Sequence, residues 1–179
     1  LTVTAVLAVG VRLAFWPTPP GNDMHRYVWE GMVQTRGVNP YLAAPASPEL
    51  DPLAEGPLAG IRAGVNHPEL PAIYPPLPLI IFRALAALNP DPRLFKAFFL
   101  LCDLALAALL ARMLGLGGLP PKLLLFYAAN PLVIVFVAGE AHLDVLQALL
   151  VVAGVHLLER RRPGWGFLCL GGAVVSKVL

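Results

Sequence analysis

Residues 94–114 read LFKAFFLLCDLALAALLARML, and this stretch decides the class of the fold. As an α-helix it is long enough to cross the hydrocarbon core of a bilayer, which takes about 20 residues. The surrounding sequence has the same character. Residues 119–138 also reach that length, 141–158 lie at its lower limit, and the apolar runs 1–16 and 163–179 are cut off by the chain ends. Of the 179 residues, 58% are hydrophobic and 13% charged, with a mean hydropathy of +0.71. Soluble domains are about a quarter charged, so much of this surface must face something other than water.

Other classes are set aside on the same grounds. A net charge of +2, with no basic stripe interleaved with aromatics, does not fit nucleic-acid binding. Cys102 and Cys169 lie in separate apolar runs without ligand spacing, which does not fit a disulfide framework or a zinc site and reads as two small buried hydrophobes. Both chain ends fall inside apolar runs, and the chain reads as a fragment.

Charge sets the expected topology. Arg160, Arg161 and Arg162 follow the 141–158 run, and Arg112 and Lys122 flank the turn at 115–121; such clusters mark cytoplasmic loops. Counting back, 94–114 enters from outside and 119–138 returns there. The run 77–88 is only about a dozen residues, a length short of a span, and Pro78 and Arg83 interrupt it. It fits an interfacial or re-entrant helix better than a span. If it crossed, the proline-rich segment 17–76 would be cytoplasmic instead. The expected fold is all-α, a polytopic transmembrane helix bundle. Its membrane helices are 1–16, 94–114, 119–138, 141–158 and 163–179. A long external loop, 17–93, carries short surface helices near 22–36 and 77–88.

Within that loop, residues 22–36 read as a helix with Asn22 or Asp23 as cap and Gly37 and Pro40 as stop signals. Asp23, Arg26, Tyr27, Glu30 and Gln34 share one face, while Met24, Val28 and Met32 form an apolar stripe beside it. Two carboxylates and a guanidinium on one face suit displacement of a phosphate leaving group, with a carboxylate taking the acceptor's proton and cations holding the phosphate. The same residues also fit a helix cap and an ordinary i,i+4 pair. A second polar cluster, Glu140, His142 and Asp144, is expected at the outer mouth of 141–158, on the same side as the loop. Ionisable groups at membrane depth usually pair or act, though acidic groups also favour a helix start. Lys96 and Asp103 in 94–114 are further candidates, Lys96 either for a lipid phosphate or as a snorkelling side chain. His156, near the arginine run, reads as structural.

Three blocks of this sequence resemble a known group of membrane enzymes. Asp23-Met24-His25-Arg26-Tyr27-Val28-Trp29-Glu30-Gly31, followed by Gly37-Val38-Asn39-Pro40-Tyr41, resembles the first external loop of polytopic GT-C glycosyltransferases. Asn66-His67-Pro68-Glu69-Leu70 leading to Tyr74-Pro75-Pro76-Leu77 is similar to the end of that loop. Asn130-Pro131-Leu132 running to Gly139-Glu140-Ala141-His142-Leu143-Asp144 resembles a later motif. The order and coverage match bacterial polyprenyl-phosphate-mannose-dependent mannosyltransferase-like proteins.

The resemblance implies a polyprenyl-phosphate sugar donor, a glycolipid or glycan acceptor, and chemistry at the outer face of a bacterial plasma membrane. It places a catalytic base at Asp23, acting with Arg26 and Glu30. His25, His67, Tyr74, Lys96, Glu140, His142 and Asp144 become substrate-binding candidates. The loop has no Asp-x-Asp pair, so a divalent metal is not supported. Rival classes are a transporter or flippase, which would show discontinuous helices and inverted repeats, and an assembly protein that uses the loop only for docking.

Overall fold

Proline opens most of the helices. Its fixed φ and missing N–H suit the first turn of a helix, where the donor has no intrahelical partner. The computed structural model describes residues 2–177. In chain order the elements are α1 (Thr2–Ala14), α2 (Asp23–Thr35), a 3₁₀ turn (Pro48–Leu53), α3 (Pro57–Ala63), α4 (Pro76–Leu88) and α5 (Pro92–Leu116). A second 3₁₀ turn (Pro121–Leu124), α6 (Leu125–Ala128), α7 (Pro131–Val133) and a π-helical turn (Ile134–Gly139) follow, then α8 (Asp144–Glu159) and α9 (Pro163–Val174). Among the described residues there is no β-strand. The chain divides into two compact units, Pro20–Lys96 and Leu1–Pro19 with Ala97–Leu179.

In the Pro20–Lys96 unit, α2 is the core. Met24, Arg26, Tyr27, Val28, Trp29, Glu30, Gly31 and Val33 are all buried. The sequence suggested an apolar stripe beside a polar face; in the structure Arg26, Tyr27 and Glu30 of that polar face are buried as well, while Asp23 is half-buried. Asn22 makes no side-chain capping bond. At the other end Gly37, at φ +79°, turns the chain out of the helix, and the Val38 amide donates back to the Val33 carbonyl at 3.1 Å. On one side Trp29 and Val33 pack with Ala43, Leu50 and Val65. Arg62 secures that side, donating to the Pro45 and Ser47 carbonyls and to Asp51, with its guanidinium 5.5 Å from the Trp29 ring centre.

On its other side α2 meets α4. Tyr27 stacks on Phe82 with ring centres 4.6 Å apart, and Gln34 donates to the Leu79 carbonyl at 2.9 Å. Gly31 permits this approach: a Cβ there would stand 2.4 Å from the Phe82 carbonyl oxygen and 2.9 Å from the Ala86 Cβ. Because the first obstacle is backbone, side-chain movement cannot relieve it. Gly31→Ala is expected to cost about 1–3 kcal/mol by overpacking, read as a lower thermal unfolding midpoint of the full-length protein in detergent. An unchanged midpoint would show that α2 and α4 are not this closely joined.

In the other unit the sequence expectation changes more. Residues 92–116, of which 97–116 belong to this unit, form one continuous helix, about 37 Å long at 1.5 Å per residue, with a mean hydropathy of 2.2 over its most apolar window. It is long and apolar enough to cross a bilayer. Residues 119–138, expected as one span, are broken. The pieces Pro121–Ala128 and Pro131–Gly139 meet at 50°, and pass as one span only if taken together. Asn130 caps the second piece by accepting from the Leu132 amide at 2.9 Å, and Pro131 cannot continue the first. Helices α1, α8 and α9 have 13, 16 and 12 residues, so among the described residues only 94–114 of the five expected spans forms a single helix of full crossing length; positions 1, 178 and 179 of the expected end spans lie outside the described residues.

This unit carries large apolar side chains outward, among them Leu101, Phe126, Leu132, Phe167 and Leu168, while Arg12 and Asp103 are buried inside. Such a distribution suits an apolar surrounding. Helices α8 and α9 pack at a glycine crossing. A Cβ on Gly154 would lie 2.7 Å from Leu170 Cγ and 3.1 Å from the Gly166 carbonyl oxygen, and Gly166 meets the Gly154 carbonyl oxygen at the same 3.1 Å. Small residues that let backbones approach are the usual means of close helix packing in lipid.

Candidate active site on the second helix

The charged face of α2 closes on the loop 66–71. Arg26 is the organiser. Its Nε donates to Asn66 Oδ1 at 3.4 Å, Nη2 to the Asn66 and His67 carbonyls at 2.7 and 2.6 Å, and Nη1 to the Leu70 carbonyl at 3.2 Å and to Glu30 Oε1 at 3.0 Å. A guanidinium has five N–H donors, and all five are engaged. Arg26 therefore staples the loop to the helix and leaves no donor for a phosphate oxygen, which narrows the role that the sequence suggested for it.

Glu30 lies one turn further on, 1% exposed. One oxygen accepts from Arg26, and the other, Oε2, is buried with no hydrogen-bond partner among the described residues. Burial pushes its carboxyl up to about 7, against the opposing hydrogen bond and charge of Arg26. A carboxyl raised in the folded state favours folding when protonated. Its contribution is full below its ordinary value of 4.5 and is lost as pH rises through about 7. The unfolding midpoint is therefore expected to fall between about pH 5 and pH 8, and Glu30→Gln to flatten that fall. Parallel pH profiles for wild type and variant would refute this account of Glu30.

Asp23 opens α2 and is half-buried. Its Oδ1 accepts from Asn66 Nδ2 at 2.7 Å. Asn66 thus touches both Asp23 and Arg26, and through one side chain sets the carboxylate against the stapled loop. Tyr74 stands beside this group, with its ring 5.3 Å from Tyr27 and 5.8 Å from Phe82. Burial and then the charge of Asp23 push its phenol well above its ordinary range, against a hydrogen bond with Tyr27, so Tyr74 keeps its proton and remains a donor. His25 packs against Gly64, where a Cβ would meet its ring at 2.6 Å, and its Nδ1 is buried without a hydrogen-bond partner among the described residues. Lys96, in the second turn of α5, is buried.

The structure thus brings Asp23, Arg26, Glu30 and Tyr74 into one neighbourhood. His67 stands apart from this group. Its ring is exposed beside Glu69, 3.5 Å away, and only its carbonyl reaches the cluster; a φ of +47° turns the chain there. Asn66 lies in the 66–70 block, where no sequence feature marks it as a site residue. The available signal was a single loop amide before His67-Pro68, which nothing in the sequence connects to Asp23, 43 positions earlier.

In the other unit the π-helical turn delivers Glu140 and His142. The wide turn closes with the Glu140 amide on the Val135 carbonyl at 2.9 Å and the His142 amide on the Phe136 carbonyl at 3.0 Å. Ala141, buried and at φ +62°, then turns the chain so that His142 Nε2 lies 2.9 Å from Glu140 Oε2. Both side chains are partly exposed. Wide π turns of this kind gather at functional sites. Asp144 pairs with Lys177, and Gln147 donates to the Ala173 and Lys177 carbonyls at 3.2 and 3.1 Å. Asp144 therefore also fastens the segment after α9, and Lys177 is a partner that the sequence did not suggest. Among the described residues no group of three or more His, Cys, Asp or Glu is placed to hold a metal ion.

No curated protein and no solved structure matches the chain. Residues 5–179 match the sequence model of the family described as alpha-(1->6)-mannopyranosyltransferase, N-terminal domain. With almost its whole length so matched, the chain belongs to this family of mannosyltransferases and carries its N-terminal domain.

Proposed function

We propose that the full-length protein is a polytopic enzyme that transfers mannose from a polyprenyl-phosphate carrier to an acceptor hydroxyl at the extracytoplasmic face of the membrane, with Asp23 as the base. The observation that carries this reading is the contrast between the carboxylates of α2. Glu30 is buried and tied to a guanidinium with no donor to spare, whereas Asp23 is half-buried at the helix start and held by a neutral amide. A base must reach its proton within hydrogen-bond distance, and Asp23 has the better access.

In the proposed step the acceptor oxygen attacks the anomeric carbon of mannose. The bond from that carbon to the phosphate oxygen breaks, and polyprenyl phosphate leaves with the bonding electrons. Asp23 takes the acceptor's hydroxyl proton. Lys96 is the proposed cation for the departing phosphate, in place of the fully engaged Arg26. Tyr74, held protonated, is the proposed donor to a sugar or phosphate oxygen, and His25 is a candidate substrate contact. In their own unit Glu140, His142 and Asp144 are proposed to contact substrate.

The broken segment at 121–139 also suits a transporter or flippase, whose sites use discontinuous helices. One assay separates the two readings. Membranes containing the full-length protein are supplied with polyprenyl-phosphate mannose, glucose and arabinose, and each donor is followed. Transfer predicts loss of the mannosyl donor with mannose appearing on a glycolipid or glycan. Movement of an intact donor across the bilayer without cleavage would overturn the proposal.

A further inference from the structure

Where α5 and α8 end, four guanidiniums line one cavity of about 500 Å³. Arg112 comes from α5, and Arg160, Arg161 and Arg162 from the turn after α8; His156, Leu157 and Glu159 complete the lining. The turn is tightly made. The Arg160 amide donates to the His156 carbonyl at 3.0 Å and the Arg162 amide to the Leu157 carbonyl at 2.9 Å. Arg161 sits at φ +55°, a left-handed position usually left to glycine. None of the four guanidiniums makes a hydrogen bond or ion pair among the described residues. Glu159 is the lone carboxylate in the lining, so positive charge there is in excess.

A second cavity, of about 540 Å³, shares His156, Glu159 and Arg160 with the first and is otherwise walled by apolar residues such as Leu110, Met113, Leu114 and Leu119. A cationic chamber bordered by an apolar groove matches a molecule with an anionic head and a hydrocarbon tail. We infer that this is a binding site for an anionic phospholipid, its headgroup phosphate among Arg112 and Arg160–Arg162 and an acyl chain along the groove of α5. Basic pockets beside membrane helices recognise headgroups in this way. Fixing topology needs only arginines near the bilayer; it does not need Arg112, on another helix, to share a chamber with them. The site is separate from α2 and does not rest on the proposed transfer reaction.

The test uses the full-length protein in nanodiscs of phosphatidylcholine and phosphatidylglycerol, released and weighed by native mass spectrometry. Wild type is expected to retain phosphatidylglycerol preferentially, and less so at high salt. Arg112→Gln should lower the preference on the order of five-fold, Arg112→Lys should largely restore it, and Arg83→Gln on α4 should leave it unchanged. Equal retention of the two lipids would overturn the site, as would a preference indifferent to Arg112→Gln. Displacement of the lipid by inorganic phosphate would mean a small-anion site, and preferential retention of added polyprenyl phosphate would mean a carrier site; either result overturns the phospholipid assignment. Should Arg112→Gln fail to fold, a wild-type preference that does not respond to salt overturns it equally.

Discussion

Asp23→Asn in the full-length protein is expected to lower mannose transfer by about 10²–10⁴-fold, the usual contribution of a positioned general base. The substitution keeps the shape and one acceptor oxygen. Asn66 Nδ2 can still donate across the present 2.7 Å, and Arg26 keeps its staple of the 66–71 loop. The unfolding midpoint should therefore stay close to wild type while turnover collapses, with little change in KM. Asn66→Ala supplies the comparison. It leaves the carboxylate in place but removes the amide that orients it, so a smaller loss is expected, and Asn66→Asp should not rescue it because two carboxylates would face each other. If Asp23→Asn folds normally and turns over within ten-fold of wild type, which is below the usual contribution of a base, Asp23 is not the base.

Helix positions were legible in the sequence where local signals act alone. The long apolar helix at 94–114 and the helix at 22–36 stand out by hydropathy and by spacing, and Gly37 marks a real stop because only a left-handed residue leaves the helix there. Hydropathy averaged over 119–138 hides the break at Asn130-Pro131, even though that dipeptide is itself a turn signal. The average counts apolar atoms, whereas the break comes from a missing N–H and a side-chain cap. The polar face of α2 was legible as a face, but its burial was not. That depends on the loop 66–71 folding back to give Arg26 four carbonyls and a side-chain oxygen, a long-range arrangement with no periodicity to announce it. The same holds for Arg12. An arginine in one apolar run and an aspartate in another are each visible, and their pairing across 91 positions is not.

That pairing leads to the second large effect. Arg12 and Asp103 are 1% and 0% exposed and form a two-pronged ion pair. Nη1 of Arg12 also donates to the Ala8 and Ala128 carbonyls at 3.1 and 3.0 Å, and the Tyr127 hydroxyl donates to Asp103 Oδ1 at 2.5 Å. One cluster thus joins α1, α5 and α6. Removing one partner strands the other charge in an apolar interior, where no water can replace the lost donors. Arg12→Ala or Asp103→Ala alone is expected to cost about 3–5 kcal/mol, measured by unfolding the full-length protein in mixed micelles. The double substitution Arg12→Leu with Asp103→Leu should recover much of this loss, because the cost of a broken buried pair lies chiefly in the stranded charge. Recovery should be incomplete, since the Tyr127 hydroxyl and the Ala128 carbonyl lose their partners too. A double variant as unstable as the two singles added together would mean that the charges are not coupled and that apolar packing alone holds α1 against α5.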